Sequence, residues 1–162
     1  YKNILLLQEG YIEKIEKLNI DIDPKFPDFC LVTGDGYLDV LEINIPDTPL
    51  LRYDDSHKNS YWSPDLAKAL AQTEKYIDII AKNNDRLRNY IRDKYQIDLK
   101  IIKPRGIIIA GSAKLMVEPD KRDGFRLLAG SLKNVEVMTY SEMEQLMMNR
   151  LQILRKINQR HE

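Results

Sequence analysis

Asp28 and Glu42 are the residues whose type and placement first suggest chemistry. Asp28 follows Pro27 and opens an apolar run; Glu42 falls late in a second run, with thirteen residues between the two acids and Gly34-Asp35-Gly36 between the runs. Two strand-like runs separated by such a turn form a hairpin. An acid at the start of one arm and another near the end of its partner can converge. Two convergent carboxylates supply the hard oxygens that suit magnesium or manganese. Magnesium held there would polarise a phosphodiester and lower the pKa of an attacking water. The same acids also read as solvated residues at strand edges, so spacing alone leaves both readings open.

The elements that must position this pair follow from periodicity. In residues 37–45, Leu38, Val40, Glu42 and Asn44 share one face of a strand, and Asp39, Leu41, Ile43 and Ile45 share the other. Residues 4–18 place Ile4, Tyr11, Ile15 and Leu18 on one stripe at helical spacing, which predicts an amphipathic first helix weakened by Gly10. Two prolines then forbid a helix through residues 21–27. Pro46 ends the second strand, and residues 47–62 read as a long polar loop with aromatic interruptions. Ser63 caps a helix beginning at Pro64 whose buried stripe is Leu66, Leu70, Ile77 and Ile80; after a break at Asn83-Asn84 it continues through Leu87, Tyr90 and Ile91.

Residues 106–110 form a short apolar run suited to a strand buried on both faces, and residues 135–138 a shorter one. Ser141 and Glu144 form a capping box for a last helix with Met143, Leu146, Met147, Leu151 and Leu154 as apolar positions. The predicted order is helix, hairpin, long helix, strand, helical segment, strand, helix. This is an α/β fold, a mixed sheet with helices on its faces.

Composition narrows the function classes. The 162 residues suit one domain spanning 1–162, and a chain opening at Tyr1 is expected to be a piece of a longer protein. Twenty-five basic residues balance 25 acidic ones, so any polyanionic partner must be held by a local patch. The single cysteine, Cys30, reads as a small buried apolar group, which points to a reducing, cytoplasmic setting. No run approaches the roughly 20 apolar residues of a membrane span. No serine-histidine-acid order, glycine-rich phosphate loop or cysteine cluster supports another catalytic class.

The segment FPDFCLVTGDGYLDVLEINIPDTPL, followed by an aromatic and basic loop and then SPDLAKALAQTEKYI, resembles the nuclease domain of the Shedu anti-phage defence family, a branch of the PD-(D/E)xK superfamily. PRGIIIAGS and VEVMTYSEM extend the resemblance over most of the chain from Pro27 onward. It implies a restriction-endonuclease-like mixed β-sheet flanked by helices, DNA as substrate, Mg2+ with Mn2+ able to substitute, and homo-oligomeric assembly of the longer protein. It further implies that Asp28 and Glu42 bind the metal, that the Ile43 carbonyl joins them, and that Gln72 reaches the site from the long helix.

One position departs from the family pattern. Asn44 stands where the motif would place lysine, two residues after the second acid. A lysine there would orient the nucleophilic water and offset transition-state charge, whereas asparagine offers a neutral amide. The domain is then inactive, slow, or supplied with a lysine from elsewhere. Lys68 and Lys75 share a narrow helical arc with Gln72 and are the sequence candidates, their alternative being ordinary solvated helix residues.

The superfamily often adds an acid from the first helix, for which Glu9 is the candidate beside Gln8 and Glu13. For phosphate contact there are two stretches. Residues 82–105 carry eight basic residues, Arg86 and Arg88 among them, against three acids. Residues 52–62 mix Arg52, Lys58 and His57 with Tyr53, Tyr61 and Trp62, suited either to stacking on bases or to packing the loop onto the domain. His57 lacks a histidine or cysteine companion at metal-ligand spacing. The methionine-rich last helix is either core or a subunit contact.

Overall fold

Alternating apolar residues and a glycine-closed turn build the centre of the molecule. In a computed structural model, described over residues 10–158, the strands are β1 (Tyr11–Glu16), β2 (Phe29–Thr33), β3 (Leu38–Ile43), β4 (Leu51–Asp54), β5 (Asn59–Trp62), β6 (Gly106–Ile109) and β7 (Val135–Met138). β2 and β3 pair antiparallel, with Phe29 opposite Leu41 and Val32 opposite Leu38. Gly36 closes their turn at φ 81°, a left-handed conformation that glycine adopts without steric penalty. The main sheet runs β1-β2-β3-β6-β7, antiparallel through β1, β2 and β3 and parallel from β3 through β6 to β7. The carboxyl ends of β3, β6 and β7 therefore share one edge, where β2 begins.

Two layers of helix cover this sheet. On one face α1 (Pro64–Lys82), α2 (Asn84–Tyr95) and α3 (Pro119–Gly130) bury Cys30, Val40, Ile108 and Val137 against Leu66, Ile80, Leu87, Ile91 and Phe125. On the other, α4 (Tyr140–Asn158) packs Met143, Leu146 and Met147 against Leu31, Leu41 and Ile109. Met143 and Met147 on this stripe thus pack, half-buried, against the core. Ser63 caps α1 as its sequence predicts, its hydroxyl accepting the Leu66 N–H at 3.1 Å, and Pro64 opens the first turn. The mixed α/β sheet flanked by helices is the fold class read from the sequence.

Three local expectations are corrected. Residues 11–16 form an edge strand rather than part of a helix. Tyr11 and Ile15 are four apart, a spacing that puts side chains on one face in both a helix and a strand. A bulge between Tyr11 and Glu13 overrides that spacing in the strand: it leaves Ile12 61% exposed and sends Tyr11 to the face with Leu41 and Ile15 to the face with Val40. Ile4, Gln8 and Glu9 lie outside the described residues, as does the side chain of Leu154. The loop 47–62 contains the two-stranded β4–β5 sheet, whose four-residue arms are too short to show periodicity and whose turn uses Lys58 at φ 54° in place of glycine. Finally, the capping box of α4 is Thr139 with Glu142: the Glu142 N–H donates to Thr139 Oγ1 at 3.1 Å, and the Thr139 N–H donates back to Glu142 Oε2 at 2.7 Å. Ser141 instead accepts the Ala113 N–H at 3.1 Å.

Two outcomes test this packing. A Cβ on Gly106 would stand 2.3 Å from Thr73 Cγ2 on α1, closer than carbon atoms approach. Gly106→Ala is therefore expected to lower stability by about 1–3 kcal/mol in chemical denaturation; an unchanged midpoint and slope would refute this contact. Cys30 is fully buried, and burial pushes its thiol up to about 12. A thiol-specific reagent at neutral pH is expected to label it on the timescale of unfolding, and rapid labelling of the native protein would contradict the arrangement.

Candidate metal centre

The pleat that sends Leu38 and Val40 toward α1 sends Glu42 the same way. Extending the β2–β3 register by one pair past Phe29 and Leu41 places Asp28 opposite Glu42 on that face. Like charges directly opposite each other are destabilising, and backbone donors from both strands hold them. The Asp28 N–H donates to Glu42 Oε1 at 3.0 Å, and the Ile43 N–H donates to Asp28 Oδ2 at 3.0 Å. Each acid thereby satisfies backbone of the other strand where the regular ladder stops.

Burial pushes the Glu42 carboxyl up to about 7; the Asp28 N–H pulls it down, the Asp28 charge pushes it up, and Lys17 opposes that last effect. Among the described residues the Asp28 N–H is the sole hydrogen-bond donor to Glu42. Lys17, just past β1, forms an ion pair with Asp28 Oδ1. Its backbone is left-handed at φ 47°, and its N–H donates to the Asp28 carbonyl at 3.3 Å. The hydrogen bond to Asp28 raises the Lys17 pKa, partly offset by burial and reinforced by the charges of Asp28, Glu42 and Tyr76. An open cavity of about 240 Å3 beside this pair is lined by Glu16, Lys17, Asp28, Phe29 and Ile43.

The other sequence candidates fall in different places. Gln72 is exposed on α1 and donates to the Tyr76 hydroxyl at 2.7 Å, so its partner is Tyr76 and not either acid. Lys75 pairs with Asp78 at 3.6 Å, and Lys68 is exposed; neither is paired with Asp28 or Glu42. Asn44 is fixed through its backbone, its N–H donating to the Ile109 carbonyl at 2.8 Å and its carbonyl accepting the Tyr140 hydroxyl at 2.7 Å. Glu13 is exposed, and Glu9 lies outside the described residues. Lys17 is the residue that sequence reasoning missed. Placing residues 4–18 on a helix left it off the apolar stripe, whereas a strand ending at Glu16 delivers it beside Asp28.

Arg52 and Lys58 are exposed on the β4–β5 ribbon, and Trp62 fixes that ribbon by packing edge-on against Phe125 with ring centroids 5.9 Å apart. Arg86 donates to the Ile20 carbonyl at 2.8 Å and Arg88 to the Leu99 carbonyl at 3.0 Å, so both brace neighbouring loops. His57 Nδ1 meets Asp54 at 2.8 Å and Ser56 at 3.0 Å. One ring nitrogen serves both partners, a geometry that ties a turn and cannot relay a proton between them.

Among the described residues no group of three histidine, cysteine or acidic side chains could hold a metal. The donor set at the hairpin is instead two carboxylates with one ammonium between them and solvent, a local excess of negative charge made of hard oxygens. Those residues fit magnesium or manganese. A mixed α/β sheet whose central hairpin brings two carboxylates together at the carboxyl edge of its parallel strands defines a nuclease-like α/β domain with a candidate divalent-cation centre.

The chain belongs to the family described as Shedu protein SduA, C-terminal, whose profile matches residues 1–143. It is similar to the Shedu protein SduA of Bacillus cereus (strain B4264), 29% identical over 106 residues, which are 64% of this chain and 28% of that protein. The matched part of the chain therefore spans less than a third of that relative's length. No helix of the described residues is long and apolar enough to cross a membrane.

The Glu42 environment has a pH consequence. Its pKa rises from 4.5 to about 7 in the folded protein, so ionisation weighs against the folded state progressively across that interval and fully above it. Below it the acid is neutral in both states. In EDTA, Glu42→Gln is expected to gain stability relative to the parent between about pH 5 and pH 8, on the order of 1–2 kcal/mol once solvent screening of this half-open site is allowed for. Urea melts at the two pH values measure it, and a pH-independent gap would refute the assignment.

Proposed function

We propose that this domain is a metal-dependent deoxyribonuclease or nickase of the PD-(D/E)xK type, acting in the cytoplasm as part of an anti-phage defence protein that works as a homo-oligomer. The observation that carries this reading is the Asp28–Glu42 pair, two carboxylates facing each other from adjacent strands with one ammonium, that of Lys17, paired to Asp28. Family membership supports it.

Asp28 and Glu42 would hold Mg2+, with Mn2+ able to substitute. The Ile43 carbonyl is a reasonable third ligand, because a strand residue sends its N–H and C=O to the same edge and the Ile43 N–H is already on Asp28. When bound, the cation supplies Lewis acidity to the phosphoryl oxygen and to the attacking water. The chain's own groups do the rest. Glu42 and Asp28 would fix the position of the cation, and Gln72 would act through the Tyr76 hydroxyl to which it donates. Arg52 and Lys58 are available to phosphates on the exposed ribbon, while Arg86 and Arg88 have donors beyond those that brace the loops.

Asn44 favours a second reading, a catalytically silent module that binds DNA ends or holds an assembly together on the same fold. Supercoiled and linear DNA incubated with Mg2+ separates the two. The expected outcome is nicking or cleavage abolished by EDTA and lowered at least about 100-fold in Asp28→Asn. Salt-sensitive DNA retention without cutting, by the parent and by Asn44→Lys alike, would favour the silent module.

A further inference from the structure

Continuing the β1–β2 register past Glu16 and Phe29, and the β2–β3 register past Phe29 and Leu41, sets Lys17, Asp28 and Glu42 in a single row across three adjacent strands. Neighbours in such a row stand about 4.5–5.5 Å apart, a span that the flexible four-carbon stem of lysine bridges. The ammonium rests on Asp28 Oδ1 while Oδ2 is held by Ile43. The Lys17 side chain is 63% exposed, so its head can leave Asp28 without disturbing the core. Among the described residues, Lys14 is engaged with Glu16 and lies over the Phe29 ring at 5.1 Å, and Lys75 and Lys82 are engaged with Asp78. Asn44, two residues beyond the row, brings no charge.

We propose that Lys17 is the basic catalytic residue of this site, delivering from edge strand β1 the positive charge that Asn44 lacks, with a nucleic-acid phosphodiester as substrate. The proposal rests on the nuclease reading. A divalent cation held by Asp28 would loosen its hold on the ammonium and free Lys17 to reach the scissile phosphate. There it hydrogen-bonds the attacking water and offsets charge on the phosphoryl oxygens. Water oxygen forms the new bond to phosphorus as the bond to the leaving sugar oxygen breaks. The electron pair departs with that oxygen, which takes a proton from solvent, and the proton lost by the water returns to solvent.

The test compares the parent, Lys17→Met, Lys17→Arg, Asn44→Lys and the double variant Lys17→Met/Asn44→Lys, reading plasmid cleavage as kcat and KM separately and Mn2+ binding by titration calorimetry without DNA. The expected result is a loss in kcat of about 100-fold for Lys17→Met, with Mn2+ affinity unchanged or tighter because a competing cation is gone. Lys17→Arg is expected to retain part of the rate, and the double variant to recover most of it through a lysine just past β3. Parent-like cutting by Lys17→Met, while Asp28→Asn cuts nothing, would overturn the proposal and leave the nuclease reading standing. So would a silent parent made active by Asn44→Lys, or a loss in Lys17→Met that tracks weakened Mn2+ binding. No cutting by any of the chains would remove the nuclease reading itself, and the role of Lys17 with it.

Discussion

The register of one antiparallel pair governs the candidate site. Because side chains alternate strictly across a strand, slipping β3 by a single residue against β2 would carry Glu42 to the α4 face and bring Ile43 beside Asp28. Gly36 prevents that slip by fixing the length and geometry of the turn, and the two faces reinforce it. Val40 must fit among Cys30 and Ile80 on one side, Leu41 among Leu31 and Ile109 on the other. Each such buried side chain contributes about 1.5–3 kcal/mol, enough together to hold two like charges in opposition at the end of the same strands. The apolar part of the hairpin thus maintains an arrangement that its polar end disfavours.

The two ends of β3 treat an acid in opposite ways. Asp39, only 3% exposed, accepts from the Tyr11 hydroxyl at 3.0 Å, from the Arg105 N–H at 2.9 Å and from the Arg105 guanidinium at 3.0 Å. Its charge is neutralised and its oxygens satisfied, as a buried carboxylate requires. Glu42, three residues later on the opposite face, faces a second carboxylate and receives one backbone N–H among the described residues. A structural acid is finished by its own protein. Glu42 is left with a burial cost that a proton relieves and that a bound cation would relieve.

Much of this was legible in the sequence, for identifiable reasons. The runs around Gly34-Asp35-Gly36 announce a hairpin because strand residues and turn residues are chemically distinct, and period two places Glu42 with Val40 without ambiguity. Ser63-Pro64 marks the start of α1 equally clearly. The failures have physical causes. A four-residue spacing does not separate helix from strand, and a bulge at Ile12 breaks the alternation that would have done so. Four-residue strands such as β4 and β5 are too short to leave a pattern. Thr139 and Ser141 both have an acid three residues later, and the choice between them rests on the tertiary contact from Ala113 that occupies Ser141. Lys17 was hidden by the first of these errors, since its place beside Asp28 follows only when residues 11–16 are a strand paired with β2.

Electroneutrality constrains how such a site can meet a polyanion. With 25 basic and 25 acidic residues the chain projects no general attraction, and several cations are spent within the fold: Arg105 on Asp39, Arg86 and Arg88 on loop carbonyls, Lys75 and Lys82 on Asp78. Each phosphate contact changes the salt dependence of DNA binding by roughly 0.9 in the logarithmic slope. A surface relying on Arg52, Lys58 and the remaining guanidinium donors offers few such contacts, so affinity for duplex DNA from this domain alone would be weak and its salt dependence shallow. On the nuclease reading, tight engagement must then come from several such surfaces acting together, where linked sites multiply affinity without new contacts in any one of them. That requirement, and not the chemistry of the hairpin, is what would tie cutting to assembly.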